Sequence, residues 1–169
     1  TGVQKRALNF FNRAKQADEE LEVLEPEIQQ MGLGGQTYQA LAPNFMQTQT
    51  GQSYQQAQRA FTEARLRKDS GAAIPDNEFA NDRKTYFAQP GDSETVLAQK
   101  RRARGTMLAS LGFESGQALG EFLGDPDEAK ALVNSYKARA SASASVRKPI
   151  PGIPGAEAES TDGGKTWKR

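Results

Sequence analysis

Along the N-terminal segment the apolar residues alternate at spacings of four and three: Val3, Ala7, Phe10, Ala14, Ala17, Leu21, Leu24 and Ile28. This is a heptad a/d pattern held over nearly four repeats, and it predicts a helix over residues 1–31 whose stripe needs a partner helix. Three of the eight seam positions are alanine, which suits close helix-helix approach rather than a strong stand-alone zipper. Both an amphipathic helix packed on its own chain and a subunit-contact helix fit the stripe, and in the second case Phe10, Leu21 and Leu24 carry the interface. Pro26 is expected to kink or end the helix near Glu25, because proline lacks a backbone donor and crowds the preceding turn.

The period then lapses. Residues 32–51 turn to Gly, Gln, Thr and Asn, with Tyr38, Leu41, Phe45 and Met46 scattered among them. They read as a connector whose large side chains, Tyr38 and Phe45 above all, dock on something else. Periodicity returns with Tyr54, Ala57, Phe61 and Ala64, on a helix that Ser53 can cap. Arg65, Arg67 and Lys68 gather at its end, where cations suit the negative pole of the helix dipole. Gly71 is placed as the stop, so Ser70 is expected in a corner between two helices, bonding local backbone. A nucleophilic Ser70 would need Lys68 as its base, and residues two apart face away from each other on a helix.

Ile74, Pro75, Asp76, Glu78 and Phe79 mark a third helix start. Pro90-Gly91 predicts a turn, with Asp92 or Ser93 capping a fourth helix through Val96, Leu97, Met107, Leu108 and Leu111. Asp125, Pro126 and Glu128 form an acidic capping box that opens a fifth helix carrying Ala131, Leu132, Val133 and Tyr136. Beyond it lie an Ala/Ser run and "PIPGIPG", which exclude regular helix and central strand. The expected class is therefore all-α: an elongated set of about five amphipathic helices, with a heptad-like helix over 1–31, a Gln/Gly-rich connector over 32–51, a helical domain over 52–140 and an extended Pro/Gly tail over 141–169.

Composition narrows the chemistry. With 169 residues, 36% of them hydrophobic, and a mean hydropathy of −0.74, the chain has a thin core for its length. It holds no histidine and no cysteine, which rules out Ser-His-Asp and Cys-His triads, His-ligated metals and disulfides. No catalytic residue, metal ligand or cofactor is expected. Lys plus Arg at 22 against Asp plus Glu at 21 leaves a net charge of +1, so polyanion binding would have to come from local patches. The candidates for phosphate contact are Arg65, Arg67, Lys68, Lys100, Arg101, Arg102 and Arg104. Cations at successive helical positions point in different directions, which favours solvated faces or partner contacts over a phosphate track. No apolar run approaches the roughly 20 residues that cross a bilayer. The chain opens on Thr1 rather than Met, which suggests processing or a piece of a longer polypeptide.

Near the C-terminus "STDGGKTW" resembles the Asp-box of sialidase-type β-propellers, in which Ser160 and Asp162 would brace a turn and Trp167 would pack beneath it. That motif recurs once per blade. Here it occurs once, after helical segments, and is read as a local turn with no glycosidase implied. Trp167 remains a candidate assembly contact.

The block from Gln52 to Arg104, "YQQAQRAFTEARLRKDSGAAIPDNEFANDRKTYFAQPGDSETVLAQKRRAR", resembles a segment of tailed-bacteriophage virion and prophage structural proteins. The shared order is an aromatic-Ala helix, an "LRK-acid-SGAAI" corner, a short helix with an aromatic pair, a "QPGDS" turn and a basic helix. It covers about a third of the chain and departs at Ala88, where the family pattern has proline. The resemblance implies a structural or internal virion component near the portal and tail, including the kind ejected with DNA, and no enzyme. Its implied partners are other copies of the chain, portal or tail subunits, and DNA in the ejected case. Two alternatives stay open: a helical nucleic-acid-binding module, and the non-catalytic part of a larger virion-associated lytic enzyme.

Overall fold

The computed structural model describes residues 1–32, 44–45, 47–70, 74–142, 146–149 and 157–160. Six helices stand among them: α1 (Gly2–Gly32), α2 (Gln49–Ser70), α3 (Asp76–Tyr86), α4 (Glu94–Ser115), α5 (Gln117–Leu123) and α6 (Pro126–Ser141). The fold is all-α, as the periodicity predicts. The tail adds a short antiparallel ladder, β1 (Val146–Pro149) with β2 (Glu157–Ser160), in which Val146 faces Ser160 and Lys148 faces Ala158.

Helix α1 lies along α2 and α4, and α6 packs on α4. The buried face of α1 is rotated slightly from the expected seam. Ala7, Ala14, Ala17, Leu21 and Ile28 are buried as expected, but Phe11, Asp18 and Glu25 join them at 0–1% exposure, while Phe10 and Leu24 are only partly covered and Val3 stands 76% exposed. A straight helix turns 3.6 residues per turn rather than 3.5, so over four heptads the buried stripe drifts away from a strict a/d line. Pro26 does not end α1, which runs on to Gly32. Pro26 and Glu22, whose carbonyl loses its helical donor to the proline, are both exposed, so water can satisfy that carbonyl.

The second helix begins at Gln49, four residues before Ser53. Its cap is Thr48, whose Oγ1 accepts from the amide of Gly51 at 3.0 Å. Tyr54, Ala57, Phe61 and Ala64 are buried at 0–2% exposure, and Phe61 meets Phe87 edge-on with ring centres 5.7 Å apart. Ser70 is the last residue of α2, and Gly71 lies outside the described residues.

The corner between α3 and α4 is a turn with Pro90 and Gly91 at its centre. Asp92 N donates to Gln89 O at 3.0 Å and Gly91 sits at φ +88°, the positive value that the third residue of a type II turn requires. Ser93 is the cap of α4, accepting from Val96 N at 3.3 Å. Gly116, at φ +51°, separates α4 from α5, a short helix the periodicity did not predict. Asp125 caps α6 by accepting from Asp127 N at 2.8 Å and Glu128 N at 3.4 Å, with Pro126 at the first helical position.

Candidate interaction surface

The fold turns two of the four cations of the basic run, Lys100 and Arg104, inward. Arg104 has 0% exposure. Its Nε donates to Oδ1 of Asp18 at 2.6 Å, its Nη2 to Oε1 of Glu25 at 2.6 Å and its Nη1 to the carbonyl of Tyr86 at 2.7 Å. Lys100, one turn earlier on α4, donates to the carbonyl of Phe87 at 2.9 Å and to Oδ2 of Asp92 at 2.6 Å. Asp92 Oδ2 also accepts the amide of Gln89 at 2.8 Å. The two cations thus close the C-terminal end of α3, where carbonyls lack helical donors, and brace the following turn.

Arg139 of α6 extends the network. It grips both oxygens of Asp18, at 2.8 and 2.9 Å, and reaches Glu22 at 2.7 Å and the carbonyl of Arg101 at 3.1 Å. Burial pulls its guanidinium pKa down, but the hydrogen bond and charge of Asp18, with Glu22 behind, outweigh this and the net direction is up. Arg101 closes the other side through Glu25 at 2.7 Å. Three carboxylates of α1 therefore meet three arginines of α4 and α6 with no net charge.

These placements correct the phosphate-contact expectation at Lys100 and Arg104. Lys100 and Arg104 are buried and paired, and Arg101 holds Glu25. Arg65 makes a two-pronged bond to Asp82 at 2.6 and 3.0 Å and lies over the Tyr86 ring. Arg102 donates to the carbonyl of Ala142 at 3.1 Å. The side chains of Arg67 and Lys68 lie outside the described residues. The run "KRRAR" gives no sign of this: Lys100 finds Asp92 eight positions back, but the acids of Arg101 and Arg104 come from α1, more than seventy positions away.

The expected assembly residues are corrected in part. Leu21 at 0% and Phe45 at 6% exposure spend their apolar surface inside the chain, and Phe10 and Leu24 pack partly against the same core. A side chain covered by its own fold has no surface left for a neighbouring subunit. Tyr38 and Trp167 lie outside the described residues.

The exposed apolar surface is elsewhere. Phe113 is 72% and Phe122 62% exposed, and Phe113 lines an open groove of about 950 Å³ between the α4–α5 segment and α6. One wall is the ridge Phe113, Gln117, Glu121; the other is Lys130, Asn134, Lys137 on α6; Leu119, Ala129 and Val133 lie between them. Lys137 sits 5.5 Å from the centre of the Phe113 ring. The walls stand where they do because α4 and α6 cross closely: a Cβ on Gly112 would lie 2.8 Å from Cγ2 of Val133 and 3.1 Å from the Phe11 ring. In "GFESGQALGEFLG" the glycines Gly112 and Gly120 are the sequence signal for close approach here.

Among the described residues no group of acids is placed to hold a metal ion, and no helix is long and apolar enough to cross a membrane. No family model, curated protein or solved structure matches the chain.

Proposed function

We propose that the chain is a structural component of a bacteriophage virion, a self-associating helical subunit that docks near the portal or tail. The virion assignment is supported by the resemblance of Gln52–Arg104 to phage structural proteins. The self-associating role is carried by one observation: an apolar groove with the exposed ring of Phe113 on its rim, a kind of surface that marks interaction sites on folded proteins. The basic helix serves this reading as internal scaffolding, because its buried cations hold α1 and α3 in place.

The test is quantitative mass spectrometry of purified particles from the phage or induced prophage that encodes the chain. Recovery at a fixed ratio to the portal subunit, retained through a density gradient, is expected. Absence from purified particles, with the chain present in the infected cells, would overturn the assignment.

A further inference from the structure

We infer that the groove is the interface of a two-fold dimer of this chain, the α4–α5 wall of each copy seating against the α6 wall of the other. The inference rests on the reading of the chain as an assembling subunit, and it names the partner and the surface.

Charge is the first reason for a second copy. One wall carries Glu121 and the other Lys137 and Lys130, all three exposed, Lys130 also donating to Asp127 at 3.2 Å on its own surface turn. A two-fold interface sets the same patch against itself in reversed order. Glu121 then meets Lys130 or Lys137 of the partner subunit, and the amide of Gln117 meets Asn134 of the partner subunit. A ligand of a single sign would instead bring like charges together on one wall or the other.

Shape gives the second reason. Each copy has a projection, the Phe113 ring, and a recess floored by Leu119, Ala129 and Val133. Two copies related by a two-fold axis can each fill the other's recess, burying an aromatic anchor twice. Lys137, already stacked on Phe113 within one chain, then covers the rim of the contact.

Sedimentation equilibrium of the full chain tests this with charge-swapped variants. Glu121→Lys alone, and Lys130→Glu with Lys137→Glu, should each weaken the dimer by about tenfold or more, since like charges then face each other. Combining all three changes should restore association to near that of the unaltered chain. Phe113→Ser should also dissociate the dimer. All these side chains are exposed, so thermal melting of the dissociated variants should show them folded. A discrete oligomer whose affinity ignores every one of these changes would overturn the groove interface while leaving the assembling-subunit reading intact. A monomer at all concentrations would overturn both.

Discussion

Nε of Arg104 donates to Oδ1 of Asp18 across 2.6 Å, with the arginine side chain at 0% and the carboxylate at 2% exposure. Residues 86 positions apart are thereby joined in the middle of the fold. Arg104 also holds Glu25, so one guanidinium on α4 serves two turns of α1. Pairing of this kind offsets the cost of burying the charges, and its loss exposes that cost.

Replacing Arg104 by Met should therefore destabilise the chain by about 3–5 kcal/mol in urea unfolding, because Asp18 and Glu25 stay buried with less compensation. Adding Asp18→Leu and Glu25→Leu should recover at least half of that loss, since Arg101 and Arg139 retain some exposure and can reach water. A cost below about 1 kcal/mol for the single change would show that the network is not under this electrostatic tension.

The crossing of α4 and α6 should be equally sensitive to one methyl group. Gly112→Ala places a Cβ 2.8 Å from Val133, an overpacking that costs about 1–3 kcal/mol. Val133→Ala makes room, so the double variant should be more stable than the sum of the single losses. Additive losses in chemical denaturation would contradict the contact.

At the corner before α4, backbone and side-chain effects can be separated. No atom lies within 4 Å of a Cβ built on Gly91, so Gly91→Ala should cost only the positive-φ penalty, about 1 kcal/mol. Lys100→Met removes bonds to Phe87 and Asp92 and should cost about 1.5–3 kcal/mol, in the range of hydrogen bonds to charged groups. The reverse order in thermal melts would count against Lys100 as the brace of the turn.

Alkaline pH should weaken the fold through Tyr136. Burial, with Asp18 and Glu19 adding to it, pushes its phenol pKa from 10.0 up to about 12. Above pH 10 the unfolded chain releases this proton while the folded chain keeps it, so stability present below pH 10 is lost as pH rises toward 12. Ultraviolet titration should find Tyr136 ionising late, with Tyr86 also pushed up by burial, and Tyr136→Phe, which keeps the edge contact with Phe11, should lose less stability across that window. An unchanged pH dependence in the Phe variant would contradict the assignment.

Much of the architecture was legible in the chain, and the limits have physical causes. Caps and turns depend on a few adjacent residues, so Asp125-Pro126 and Pro90-Gly91 could be read directly, and so could the apolar faces of α1 and α2. Pro26 was misjudged because its effect depends on whether the freed carbonyl of Glu22 meets water. Nothing local to Asp18 and Glu25 signals their burial, because their arginine partners arrive from α4 and α6 by tertiary packing. The same remoteness made the basic helix look like an outward surface. The groove was missed for a related reason: Phe113 and Val133 have similar sequence character, and only the α4–α6 crossing leaves one exposed at 72% and the other buried at 8%.

The most direct measurement is the mass of the full chain in solution by light scattering across a concentration series. A species of twice 18.4 kDa that gives way to the single chain on dilution is expected. A mass of 18.4 kDa at every concentration, with helicity intact, would contradict it.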